Sequence, residues 1–149
     1  MFQDGGVSVS DEKLRREVWS SFVEQQAVFL ATAEGDQPRL RPVTLLRFGD
    51  RLFVATGMGD AKVKQMKQNP KTEFCLMLEK DGKHGTIRVE CTVELVVDSE
   101  TKTEVYSNVA FMKEFWNSSD DPRFALIALH PKSFEYMPLG SMQATKIKA

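Results

Sequence analysis

Short apolar segments separated by turn-forming residues run along most of the chain, and this pattern predicts strands. The clearest case is 86–96, where apolar side chains from Ile87 to Leu95 alternate with polar ones. Because successive side chains of a strand point to opposite faces, one face of this strand lies against the core. The other predicted strands cover residues 28–32, 39–47, 51–56, 72–79 and 124–137, the last passing through His130 and Pro131.

Three other segments have apolar residues at helical spacing, and each follows a residue that can cap a helix. The capping residues are Ser10, Asp60 and Ser99, whose side-chain oxygens can accept hydrogen bonds from the free amides of a first turn. Pro70 ends the second segment, because proline cannot continue a helix. The helices are predicted over 11–26, from 61 to about 69, and over 100–115.

The order of these elements favours a mainly β (α+β) fold, an antiparallel barrel with short flanking helices. About six strands follow one another at short spacing, and the helices are too short or badly placed for regular crossover connections. The 149 residues, 42% hydrophobic and 28% charged, suit one domain with a real core. We therefore expect a single domain over 1–149, with loose tails at 1–10 and 139–149.

Composition and charge argue against several classes of partner. With 20 Lys+Arg and 21 Asp+Glu the net charge is -1, so no overall field attracts nucleic acid. The longest apolar stretches fall far short of the ~20 residues that span a bilayer, so no membrane association is expected. Residues 1–10 lack the basic and apolar regions of a secretory signal, which favours a cytoplasmic location.

Familiar catalytic motifs are absent from the sequence. There is no glycine-rich dinucleotide fingerprint, no P-loop and no nucleophile elbow. His84 and His130 have no metal-ligand residues three or four positions later in the sequence, and Cys75 and Cys91 lie on separate predicted strands. We therefore predict no metal site, and no residue is assigned as catalytic.

The second predicted strand carries one candidate anion site. Period two places Arg39 and Arg41 on one face of it, and Pro42 cannot donate to a sheet ladder. This strand is therefore an edge, a bulge, or a place where something other than a strand meets the backbone. A solvated, charged edge strand is the alternative interpretation.

The segment 56–62 carries the second candidate. Here a strand ends, two glycines follow, and a helix starts with Lys62 in its first turn. The free amides and the dipole of a helix start favour an anion, and a lysine there is unfavourable unless an anion lies nearby. Alternatively, Lys62 belongs to a solvated helix face with Lys64, Lys67 and Lys71.

Several short motifs follow one another in a characteristic order between residues 12 and 137. They are Arg41-Pro42-Val43, Val54-Ala55-Thr56, Ala61-Lys62-Val63, Asn69-Pro70, Arg88-Val89-Glu90 and the strand that starts at Phe124. In order and spacing this set resembles the pyridoxamine 5'-phosphate oxidase-like FMN-binding split barrels, especially their general-stress-protein branch.

The resemblance implies a homodimer of split barrels with two FMN molecules held between the subunits. It places Arg41, Ala61 and Lys62 at the phosphate, with Arg39 as a further cation, and lays the 42–44 backbone along the isoalloxazine ring. It also implies that Trp116 closes the slot from the other subunit. The implied cofactor-binding residues are Arg39, Arg41, Pro42, Val43, Thr44, Ala55, Thr56, Ala61, Lys62, Arg88 and Trp116.

Two functional hypotheses follow from the resemblance. The first is an FMN-dependent oxidoreductase with an unknown small-molecule substrate. The second is a non-catalytic protein that binds or senses a flavin, another phosphorylated ligand or a tetrapyrrole. The Arg/His segment with which pyridoxamine phosphate oxidases grip their substrate is not recognisable in 138–149, which supports the second hypothesis. A deazaflavin enzyme and a nucleic-acid-binding barrel are further alternatives, and the neutral net charge argues against the last.

Overall fold

A computed structural model describes residues 9–149 as seven strands and four helices. In chain order these are α1 (Val9–Ser20), β1 (Gln25–Glu34), β2 (Gln37–Phe48), β3 (Arg51–Gly57), α2 (Ala61–Gln68), β4 (Lys71–Lys80), β5 (Lys83–Leu95), α3 (Ser99–Asn108), α4 (Met112–Phe115), β6 (Phe124–Met137) and β7 (Thr145–Lys148). The six predicted strands are all present. β6 has the predicted bounds, and the other five strands are longer than their apolar pattern alone indicated.

The strands form one antiparallel sheet in the order β3-β2-β1-β4-β5-β6-β7. An additional pairing of β3 with β6 closes the sheet into a barrel. Short hairpin turns connect β1 to β2 and β2 to β3, and Gly35 and Gly49 take positive φ values there that L side chains rarely adopt. The predicted mainly β antiparallel barrel with short flanking helices is confirmed.

The barrel is split between β2 and β3. These strands pair only over Leu46–Phe48 and Arg51–Phe53. Beyond that point β3 pairs with β6, while residues 37–45 of β2 pair only with β1. This part of β2 is therefore an open edge, which is one of the three possibilities that Pro42 left open, because proline is tolerated at an edge where no ladder hydrogen bond is required.

Two apolar clusters fill the molecule. The first lies inside the barrel and includes Phe22, Phe74 and Phe134, so α1 packs against the barrel through its last turn and the residues that follow. The second lies between β3, β6 and the two helices α3 and α4, and includes Met112 and Phe124. The barrel interior and α1 thus share one hydrophobic cluster, and α3 and α4 pack against the barrel through the other.

One predicted helix ends earlier than its periodicity indicated, and another is interrupted. The helix predicted over 11–26 ends at Ser20, because Gln25 already pairs with Leu46 at the start of β1. The helix predicted over 100–115 is broken into α3 and α4, because Val109 adopts an extended backbone conformation and is buried in the second cluster. Its N-cap is Asp98, which accepts a hydrogen bond from the amide of Thr101, rather than Ser99.

The tail predicted over 139–149 is ordered in its last third, which corrects that expectation. β7 pairs with β6, and Ile147 is only 5% exposed within the barrel cluster. The guanidinium of Arg15 donates to the carbonyl of Lys148 at 2.8 and 3.1 Å and ties β7 to α1. Of the tail predicted over 1–10, residues 9 and 10 begin α1, and residues 1–8 lie outside the described part of the chain.

The burial of Ile147 predicts that the C-terminal strand contributes to stability. Ile147→Ala should lower the free energy of unfolding by about 2–5 kcal/mol, since it removes core contacts and leaves a cavity. Met142→Ala is the matched control, because Met142 is 94% exposed in the preceding turn. Urea unfolding of both variants tests this expectation, and an equal, small effect of the two substitutions would contradict it.

Candidate functional site

The split between β2 and β3 brings Arg41 close to helix α2. The Nη2 of Arg41 donates to Oε1 of Gln65 at 2.8 Å, and its Nη1 donates to the carbonyl of Leu30 at 3.2 Å. The Oγ1 of Thr32 donates to the same Gln65 oxygen at 2.7 Å. One side of the Arg41 guanidinium is therefore held by neutral oxygens from β1 and α2.

Lys62 lies at the start of α2, in the turn before Gln65. Its Nζ donates to Oγ1 of Thr56 at 2.8 Å and forms an ion pair with Oδ2 of Asp60 at 2.9 Å. The other carboxylate oxygen of Asp60 accepts the backbone N–H of Lys62 at 2.9 Å, so the predicted N-cap is confirmed. Asp60 thus caps the helix and also supplies the anion that a lysine in the first turn requires.

Helical spacing explains why Lys62 and Gln65 meet the barrel together. Positions three apart lie on one face of a helix, and the inward face of α2 consists of Lys62, Val63, Gln65 and Met66. Lys64 and Lys67 are exposed, whereas Lys62 is 9% exposed. The interpretation of all these lysines as one solvated face is therefore wrong for Lys62.

Charge couples Arg41, Asp60 and Lys62 although they come from different elements. Burial lowers the pKa of Arg41, Asp60 opposes that shift, and Arg39 adds to it. Burial would raise the pKa of Asp60, but hydrogen bonds from Lys62 and the charges of Lys62 and Arg41 lower it overall. Two cations and one anion therefore share the cluster, and within residues 9–149 no ion pair joins Arg41 directly to a carboxylate.

The other predicted residues of the split lie beside this cluster. Pro42 and Thr44 are exposed on the open part of β2, and Val43 is half-buried between them. Ala55 and the buried Thr56 lie near the end of β3, in the part of that strand that no longer pairs with β2. Ala61 is exposed at the first position of α2.

Two of the predicted arginines already have carboxylate partners. Arg39 donates twice to Oε1 of Glu34, at 2.8 and 3.0 Å, across the β1–β2 hairpin. Arg88 bridges Glu73 and Glu135 at 2.7 and 2.9 Å on the outer face of the sheet, and its hydrogen bond to Glu73 raises its pKa. Their participation in a cofactor site stays a prediction.

Trp116 follows α4 and is 8% exposed in its own chain. Its ring packs 4.9 Å from that of Phe124, centroid to centroid, and its carbonyl accepts a hydrogen bond from the hydroxyl of Tyr106. The preceding residue, Phe115, is 64% exposed. The indole is thus largely covered by the second cluster, and its approach to the other subunit's slot stays a prediction.

Sequence reasoning missed two polar residues of the site, Gln65 and Thr32. Both are buried, Thr32 donates a hydrogen bond to Gln65, and Gln65 accepts one from Arg41. The spacing from Lys62 to Gln65 could have identified the second polar residue on the inward face of α2. Thr32 gives no such signal, because its partner lies 33 residues away and only the fold brings the two together.

Two cavities in the described part of the chain lie away from the charged cluster. One of about 340 Å³ lies between the β2–β3 turn, the end of β5 and the middle of β6. Another, of about 690 Å³, lies between the α1–β1 connection and α3. Neither contains Arg41 or Lys62. A flat ligand at the split would therefore need a second surface to cover it.

Between Val9 and Ala149, no group of three or more His, Cys, Asp and Glu side chains is arranged to hold a metal ion. The helices in that same part of the chain are all too short or too polar to cross a membrane.

The sequence model of the family described as pyridoxamine 5'-phosphate oxidase matches residues 11–138. That match spans the barrel from α1 to the end of β6 and includes Arg41, Gln65 and Lys62. No curated protein matches the chain.

Solved structures share the architecture over most of the chain. General Stress Protein 26 from Bacillus anthracis str. Sterne is 20% identical and superposes with a TM-score of 0.73, covering 91% of this chain and 98% of that one. A NimC/NimA family protein from Clostridium acetobutylicum is 28% identical with a TM-score of 0.72, covering 92% and 91%. A FAD-binding protein from Mesorhizobium loti is 14% identical with a TM-score of 0.70, covering 85% and 94%.

These structures have the same split barrel, and the expected resemblance to the general-stress-protein branch is confirmed at the level of the fold. Because the family match extends over most of the sequence, the chain belongs to the pyridoxamine 5'-phosphate oxidase family.

Proposed function

We propose that this protein binds FMN at the split between β2 and β3 and acts as an FMN-dependent oxidoreductase on a small-molecule substrate. The observation that carries the proposal is the convergence of Arg41 and Lys62 beside an open strand edge. FMN needs fixed cationic donors for its phosphate and a flat surface for its ring system. The FAD-binding relative with the same fold supports a flavin as the ligand.

Arg41 is the stronger of the two phosphate-binding candidates. Its hydrogen-bond partners are neutral oxygens, and burial lowers its pKa, so its charge is not fully compensated within the chain. An anion beside the guanidinium would supply that compensation, and an arginine can bind a phosphate with two parallel hydrogen bonds. Lys62 adds a point charge, and Ala61 would contribute its own backbone amide at the start of α2, since the amides of Lys62 and Val63 donate to Asp60.

The open edge of β2 supplies the surface proposed for the isoalloxazine ring. No strand covers residues 42–44 on that edge, and Ala55 on the facing strand has a small side chain. When bound, the flavin would supply hydride chemistry, while the chain would bind and orient it and limit the access of water. The residues proposed to hold FMN are Arg41, Pro42, Val43, Thr44, Ala55, Thr56, Ala61 and Lys62.

We propose a homodimer that covers the split. Phe29, Leu40 and Met77 are exposed large apolar side chains on three neighbouring strands, β1, β2 and β4. The strand register places all three on the outer face of the sheet, because Phe29 lies opposite Cys75, and Leu40 lies opposite Ala31. A contiguous apolar face of this kind marks an interaction surface, and it lies next to the open edge of β2.

A specific observation supports the second candidate function, flavin binding without catalysis. The C-terminal segment, which would have to reach substrate in an authentic pyridoxamine phosphate oxidase, forms β7 and buries Ile147 in the barrel. Residues 145–148 are therefore committed to the fold. A substrate-binding group would have to come from another part of the protein.

The proposed phosphate site predicts a selective loss of FMN affinity. Arg41→Ala should weaken FMN binding by about tenfold to a hundredfold, because a charge-assisted hydrogen bond is lost. Arg51→Ala is the matched control, since Arg51 is an exposed arginine at the opposite end of β3 and its charge is already paired with Glu104. Titration of flavin-free protein, followed by flavin fluorescence, gives the dissociation constants.

Riboflavin, which lacks the phosphate, is the ligand control in the same titration. Its affinity should differ little between wild type and Arg41→Ala. A variant that binds FMN as tightly as wild type would remove Arg41 from the site, and a wild-type protein without flavin affinity would contradict the proposed function.

The two candidate functions predict different behaviour of the bound flavin. An oxidoreductase should show bleaching of the flavin absorbance by NADH or NADPH under anaerobic conditions, and repeated turnover once an acceptor is added. A protein that only binds flavin should not turn over with either donor. Stopped-flow absorbance with both nicotinamides and a panel of acceptors separates these outcomes.

The exposed apolar face predicts a dimer that one charge can disrupt. Wild-type protein should have twice the 16.9 kDa chain mass in light scattering at micromolar concentration. Leu40→Glu should shift the mass towards that of the monomer, because a charge would be buried at the interface. Met142→Glu, at an exposed site outside this face, should leave the mass unchanged. A monomeric wild type would contradict the proposal.

A further inference from the structure

The carboxylate of Asp60 lies beside the ammonium of Lys62, where a bound phosphate would also be attracted. One of its carboxylate oxygens lies 2.9 Å from the ammonium of Lys62, which also donates to Thr56. An ammonium has three N–H donors, so these contacts leave one for any ligand. The other carboxylate oxygen caps α2 through the amide of Lys62, and this holds the side chain beside the cation.

The charge count of the cluster is therefore lower than its cations indicate. Arg41 and Lys62 carry two positive charges, and Asp60 returns one negative charge. Gln65 is neutral at the position where it accepts from Arg41. A phosphomonoester carries nearly two negative charges at neutral pH, so the cluster alone balances only part of it.

We infer that Asp60 is an internal counter-anion that competes with the phosphate of the ligand for Lys62, and so sets how strongly the site prefers a charged ligand over an uncharged one. This inference rests on the proposed function. It assigns to Asp60 a role in specificity besides its role as a helix cap. Asp60 is suited to this because its side chain is 42% exposed, against 11% for Lys62, so solvent and ligand can compete for the ammonium.

Gln65 offers a charge change of the opposite sign at the same site. Arg41 can only donate hydrogen bonds, so the amide oxygen of Gln65, rather than its nitrogen, faces the guanidinium. Glutamate has nearly the same shape and would keep an acceptor at that place. Gln65→Glu therefore adds a negative charge beside Arg41, whereas Asp60→Asn removes one beside Lys62.

These two substitutions create a series of net charges with little change of shape. Asparagine caps helices as well as aspartate does, so Asp60→Asn should retain α2. The cluster carries a formal +2 in Asp60→Asn, +1 in wild type, 0 in Gln65→Glu and +1 again in the double variant. If Asp60 competes with phosphate, FMN affinity should follow this order.

The experiment titrates FMN and riboflavin into flavin-free wild type, the two single variants and the double variant. At low salt we expect Asp60→Asn to bind FMN about three- to tenfold more tightly than wild type, and Gln65→Glu to bind it more weakly by a similar factor. The double variant should return close to the wild-type value, and riboflavin affinity should stay constant. The differences should shrink as salt is added, because exposed charges are screened.

Asp50→Asn is the control for overall charge, since Asp50 is exposed in the β2–β3 turn. It should leave FMN affinity unchanged. Thermal unfolding of each variant establishes that the fold is retained, and if Gln65→Glu does not fold, Asp60→Asn and riboflavin still decide the question.

Unchanged or weaker FMN binding in Asp60→Asn would overturn the inference, as would an equal change for FMN and riboflavin. In that case wild type would still bind FMN more tightly than riboflavin, and the proposed function would stand. Wild-type protein that binds both flavins equally, or neither, would instead contradict the proposed phosphate site and the inference with it.

Discussion

The divergence of β3 from β2 is the constraint on which the candidate site depends. β3 pairs with β6 over Leu52–Gly57, but it pairs with β2 only over Arg51–Phe53. Its divergence from β2 leaves residues 37–45 with an open edge. The same divergence positions Thr56 and the start of α2 next to Arg41. The end of the β2–β3 pairing at Phe53 thus produces the open edge and also brings the cations to it.

Electrostatics within the split depends on which groups compensate each cation. Transfer of a charge out of water costs free energy unless hydrogen bonds or an opposite charge replace the lost solvation. Lys62 obtains both from Thr56 and Asp60, whereas Arg41 obtains only neutral acceptors. The two cations are therefore not equivalent. Arg41 has more to gain from an added anion, and Lys62 must exchange one anion for another.

Local patterns were sufficient to predict most of the elements and part of the site. The alternation around Ile87 indicated a half-buried strand, Asp60 was recognised as a cap, and Pro42 indicated an edge. Each of these features depends on residues close together in the sequence. The resemblance to a family, carried by the order of short motifs, then supplied the expectation of a split barrel, which no single motif indicates. The position of the split between β2 and β3 came from the structure.

Features that depend on distant residues were not predicted. The tail after Pro138 has few apolar residues, and Ile147 is recognisable as a core residue only when β6 and α1 are in place. The break at Val109 likewise depends on the cluster formed with Met112 and Phe124. In the site, the contact of Gln65 with Arg41 spans 24 residues. Periodicity within α2 could identify its inward face but not the partner on β2.

The polar lining of the split is difficult to explain by stability alone. Thr32, Gln65 and Lys62 are buried at positions where apolar side chains could extend the barrel cluster without any desolvation cost. Their hydrogen bonds largely offset that cost, but they add no stability beyond what apolar packing would provide. What they do provide is a fixed guanidinium and a fixed ammonium beside an open edge. A local departure from the pattern of an apolar core is expected where a protein binds a polar ligand, and this is the part of the barrel where the departure is concentrated.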